Sequence, residues 1–220
     1  MAKIQIPKQF LDGFRELYKI DENDFQRLIE SLKLVPVGLG PNTFLKTLKS
    51  KLDFPWISSV AMTIFSLGNL LESQAFGIEE LAQELTLSYC DGLNIHLSDE
   101  DKKKYSARNL ALLNNLGSLK LSIKALNILT ENENNYIESH IISDIRLVFQ
   151  EDLEHKERNA VILHQLKFEI RKSGEMSQFF IALDNSDLKK LKKQIDRALE
   201  KEEMIKKDYS STIAFIDITD

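Results

Sequence analysis

Along the first three fifths of the chain, apolar residues recur with the spacing of a helix face. Phe10, Phe14, Leu17 and Tyr18 share one predicted face, and Phe25, Leu28, Ile29 and Leu32 share the next, with Asp21 or Asp24 placed to cap it. Pro36, Gly38, Gly40 and Pro41 interrupt the pattern. Phe44, Leu45, Leu48 and Leu52 then predict a short helix, and Asp53 with Pro55 opens a long apolar one that serves as the hub of this half. Gly77 precedes a helix carrying Ile78, Leu81, Leu85 and Tyr89. Ser98, followed by Asp99, Glu100 and Asp101, supplies a cap and an acidic first turn for the next, which runs through Leu110 and Leu113. Gly117 separates it from a last stripe of Leu119, Ile123, Leu126 and Leu129, and the polar run from Thr130 to Asn135 reads as a linker.

Beyond that run the period falls from near 3.6 to 2. Ile145, Leu147 and Phe149 alternate with Asp144, Arg146 and Val148. Ile162, His164, Leu166, Phe168 and Ile170 alternate with Val161, Leu163, Gln165, Lys167 and Glu169. Lys172, Ser173, Gly174 and Glu175 form a hairpin turn into a third strand, where Phe179, Ile181 and Leu183 alternate with Phe180, Ala182 and Asp184. Asn185 or Ser186 then caps a helix striped by Leu188, Leu191, Ile195, Ala198 and Leu199. The predicted class is α+β: an all-helical bundle over 1–130, a linker over 131–142, and a small antiparallel three-stranded sheet with its helix and an apolar tail over 143–220.

The sheet carries apolar residues on both faces, yet one helix covers only one of them. The other face calls for a partner: a second copy, a homologous chain, or the helical half of the same chain. The segments Asp144-Ile145-Arg146-Leu147, Leu166-Lys167-Phe168-Glu169-Ile170, Phe180-Ile181-Ala182-Leu183 and Leu188-Lys189-Lys190-Leu191, the last running on to Ala198-Leu199-Glu200, resemble the COMM domain in their order. Ile145 stands where that family usually has Trp, so the resemblance is to a divergent relative. It implies a helical N-terminal domain ahead of a sheet-and-helix domain that exists as an interlocked dimer. It also implies scaffolding within a larger protein complex rather than turnover of a substrate. The interface residues expected on this reading are Ile162, His164, Leu166, Phe168, Phe179, Phe180 and Ile181 on the sheet, with Leu188, Leu191 and Ile195 on its covering helix.

Composition narrows the alternatives. The 220 residues carry 29 basic and 34 acidic side chains, a net charge of −5, with Lys and Arg interleaved among carboxylates throughout. That balance argues against a nucleic-acid footprint. Ile78 to Ser88 is reminiscent of the first helix of a helix-turn-helix, which leaves a nucleic-acid-binding regulator as the alternative function, but Tyr89-Cys90-Asp91-Gly92-Leu93 follows it without base-reading side chains. Lys102, Lys103 and Lys104 are balanced by Asp99, Glu100 and Asp101. The stretch between Asp53 and Glu72 is uncharged but too rich in Ser, Thr, Gly and Asn for a membrane span. The first eight residues lack the apolar run of a signal peptide. With Cys90 as the lone cysteine, the expected compartment is the cytoplasm.

Catalytic chemistry finds little footing. His96, His140, His155 and His164 fall in no zinc-binding spacing, and no cysteine accompanies any of them, so neither a metal nor a cofactor is called for. Val37-Gly38-Leu39-Gly40-Pro41 follows a helix and runs into proline, which suits a loop better than a phosphate cradle. His164, on an otherwise apolar strand face, reads as a hydrogen-bonded core histidine ahead of a titrating switch. Thr212 to Asp220 is strand-like and apolar for a tail. Two readings of it stand open: addition to a sheet edge, its own or a partner's, or packing against the helical domain.

Overall fold

The structure, a computed structural model, describes residues 4–72, 77–151 and 159–219. Positions 1–3, His155 and Asp220, all invoked above, lie outside the described residues. The chain divides into two compact units, one running to Leu129 and joined by Ile216–Asp220, the other spanning Thr130–Phe215.

The first unit is built from α1 (Lys8–Lys19), α2 (Glu22–Lys33), α3 (Pro41–Lys51), α4 (Ile57–Glu72), α5 (Ile78–Leu93), α6 (Asp99–Asn114) and α7 (Gly117–Leu129). Local chemistry sets several of these boundaries. The Asp21 carboxylate accepts from the Asp24 amide and starts α2, Pro41 occupies the first turn of α3, and the Ser98 hydroxyl accepts from the Asp101 amide at the start of α6. The expected hub is α4, which packs against α1, α3, α6 and α7 and buries Ile57, Val60, Ile64 and Leu67. Around it Leu17, Leu28, Phe44, Leu48, Leu81, Leu85, Leu112, Leu116 and Ile123 complete one continuous core.

Two polar groups inside this core escaped sequence reasoning. Arg108 on α6 is buried and donates through Nη1 to the carbonyls of Leu17 and Tyr18, at 3.0 and 3.1 Å, so it caps the end of α1. Its guanidinium lies 4.9 Å from the centre of the Phe25 ring and reaches Glu22 at 3.4 Å. One residue on, the amide nitrogen of Asn109 sits 2.7 Å from the Tyr18 hydroxyl and 3.1 Å from that of Thr86. Burial pushes the Tyr18 phenol above its usual range, so it stays neutral within this network.

Residues 216–219 belong to the helical unit. Thr219 forms a parallel bridge with Leu39: its N–H donates to the Gly38 carbonyl and its carbonyl accepts from the Gly40 N–H, both at 2.9 Å. The end of the tail thus packs on the helical domain, while the segment up to Phe215 stays with the sheet unit, and residues 216–220 group outside the 143–220 domain drawn from sequence. The Gly38 N–H in turn donates to the buried Ser122 hydroxyl at 2.9 Å. Replacing Ser122 by alanine strands that buried amide and is expected to lower stability by about 1–3 kcal/mol, read as a fall in the thermal midpoint.

The second unit is a three-stranded antiparallel sheet in the order β1 (Asn134–Val148), β2 (Asn159–Lys172), β3 (Glu175–Leu183), followed by α8 (Asn185–Tyr209). The α+β class therefore holds. The linker assigned to 131–142 does not, because β1 begins at Asn134 and its first half pairs with the second half of β2, from Asn134 opposite Lys172 to Ile142 opposite Gln165. An edge strand whose first half is rich in Asn, Glu, Ser and His resembles a polar linker until its hydrogen-bonding partner is known. Ser173 and Gly174 form the two-residue hairpin turn, both at positive φ (49° and 91°), the geometry that tight hairpins favour. Asp184, not Asn185 or Ser186, caps α8, and it does so in a reciprocal pair with Asp187.

Candidate protein-pairing surface

Residues directly opposite in an antiparallel pair share a face, so the register assigns every side chain of the sheet. One face carries Ile162, His164, Leu166, Phe168 and Ile170 from β2, with Ile145, Ser143, Ile141 and Ser139 opposite them on β1 and Leu183, Ile181 and Phe179 on β3. Phe168 and Phe179 stack at 5.2 Å, and Tyr136 meets Phe168 edge-on at 6.4 Å. The other face mixes Ile142, Val161, Leu163, Phe180 and Ala182 with Asp144, Arg146, Gln165, Lys167, Glu169 and Gln178. Lys167 pairs with Glu169 there and holds its carboxyl below the usual carboxylate range. Apolar residues thus lie on both faces, but only the first is continuous.

Very little of this surface is covered. Among the described residues of Thr130–Phe215, Leu166 alone is buried. Ile145 and Ile162, opposite one another, are 73% and 62% exposed, and Phe179, Phe180 and Ile181 are exposed as well. Phe168 is half-buried. The expected covering helix corrects most: α8 buries none of its residues, and Leu191 and Ile195 lie exposed while Leu188 is half-buried. Spacing alone identified its apolar stripe but could not say against what the stripe packs.

His164 is half-buried, and its Nδ1 lies 2.7 Å from the Ser143 hydroxyl across the strand pair. The hydrogen-bonded reading of this histidine therefore has a partner, although it is a hydroxyl in place of a backbone group or carboxylate. Elsewhere, Cys90 is buried and burial raises its thiol pKa, opposite to the shift that activates a nucleophilic cysteine. Among the described residues no group of three or more His, Cys, Asp or Glu is placed to hold a metal ion, and no helix is long and apolar enough to cross a membrane.

No known family model matches the chain, and neither does any curated protein.

Proposed function

We propose that this chain is a non-enzymatic scaffold that pairs with a second copy of itself through the sheet and α8, in the manner of a COMM domain. The observation that carries the reading is the uncovered apolar face centred on Leu166. A sheet unit with a single buried side chain among its described residues has almost no core to offset the entropy of ordering its backbone. A second copy supplies what is missing, because α8 brings an unused apolar stripe of Leu191, Ile195, Leu199 and Ile205. Sheet face and helix stripe occur on the same chain, so a two-fold arrangement lets each copy's helix meet the other's sheet and satisfies both at once. The free outer edges of β1 and β3 are further places where chains can join.

The helical unit folds around its own core and leaves its surface for other proteins of a larger complex. The cytoplasm is the compartment this reading assigns, supported by a lone cysteine that is buried. Sedimentation velocity at micromolar concentration tests the proposal. A stable dimer is the expected species, and a monomer with an intact far-ultraviolet spectrum would remove it.

A further inference from the structure

We infer that the loop from Gly38 to Gly40 is an acceptor site for an extended segment, and that residues 216–219 occupy it in cis as a releasable clasp. The loop is shaped for that occupant. Gly38 sits at φ 99°, and a Cβ there would lie 2.5 Å from the Asp217 carbonyl oxygen, so any larger residue would displace the tail. The Gly38 carbonyl and Gly40 N–H both take Thr219 as their partner, while the remaining Gly38 N–H is held by Ser122. Gly38, Leu39 and Gly40 are all buried, so when the tail leaves, one carbonyl and one N–H with the spacing of a strand rung lose their partners together.

The occupant lies at the surface of the helical unit, with Asp217 and Thr219 exposed. Two backbone hydrogen bonds join Thr219 to the loop, and Ile216 and Ile218 are half-buried. Upstream, α8 contributes no buried residue that would anchor the segment independently. A contact of this size opens far more readily than the helical core unfolds. Tethering keeps the site filled, since a segment on the same chain competes at millimolar effective concentration. The clasp stands apart from pairing through the sheet: either can hold without the other.

The experiment uses the full-length chain and a fluorescent peptide spanning residues 213–220. In a variant with Ile216→Asp and Ile218→Asp, the chain's own tail cannot hold the site, and the peptide is expected to bind about ten-fold more tightly than to the native chain. Adding Gly38→Val should abolish that binding, with circular dichroism showing the helices intact. Hydrogen exchange provides a readout that does not depend on Gly38. The Thr219 amide should be protected in the native chain and exposed in the double-Asp variant, while amides of α4 stay protected in both. Absence of peptide binding to the double-Asp variant, or equal Thr219 exchange in the two proteins, would overturn the clasp. Association that disappears in the double-Asp variant would overturn the cis assignment and place the tail on a second copy. A change of association caused by the sheet alone leaves the tail readouts untouched, so failure of pairing and failure of the clasp are distinguishable.

Discussion

Ile162→Asp is expected to leave the single chain folded and to abolish the proposed pairing. Ile162 is 62% exposed in the single chain, so an aspartate there stays in water and costs roughly 1 kcal/mol or less, mostly through lower strand propensity. In the proposed pair the same position lies on the covered face, opposite Ile145 and four residues along β2 from its centre at Leu166. A carboxylate buried there without a partner costs several kcal/mol, and about 3 kcal/mol already weakens association more than 100-fold. Sedimentation equilibrium beside circular dichroism separates the two effects. Retention of native-strength pairing by this variant would mean that chains join elsewhere, for example along the β1 edge.

Gly13→Val should be the most damaging single change in the helical unit. Gly13 lies on the buried side of α1 where that helix crosses α4, and a Cβ at this position would meet the Thr63 hydroxyl at 2.0 Å and the Ser59 carbonyl oxygen at 2.5 Å. The second obstacle is backbone, which no change of rotamer can move aside. The helices must separate, opening the packing of Phe14 and Leu17 against the hub. Overpacking of this kind costs about 3 kcal/mol, the upper end of the usual range. For a chain of this size that corresponds to a fall of roughly 10 °C in thermal midpoint. A midpoint unchanged within a few degrees would show that α1 and α4 slide apart at little expense.

Several elements were legible because their signals are local. The Asp21 and Ser98 caps, the break at Gly117 and the Ser173-Gly174 turn follow from side-chain chemistry within three or four residues of each site. Likewise the alternation of Ile162 to Ile170 assigned the apolar face, since the period of a strand is two wherever it lies. The first half of β1 was not legible. Glu138, Ser139 and His140 look like linker residues, and only their pairing with Glu169, Phe168 and Lys167 makes them a strand. Nor was Arg108, since nothing in a run of lysines and a tyrosine says that this one cation turns inward to cap another helix some ninety residues away.

Apart from the first half of β1, the sequence by itself determined the element types, their order and the apolar stripe that each one presents, because these depend on periodicity and on contacts between near neighbours. Only the tertiary structure decided where those stripes go. It showed that the stripes of α1 to α7 close on one another around α4, whereas the face centred on Leu166 and the stripe of α8 remain uncovered. It also sent the apolar tail to Gly38–Gly40. A burial pattern records how much apolar surface a segment must hide, and the partner is settled by three-dimensional neighbours that periodicity does not encode.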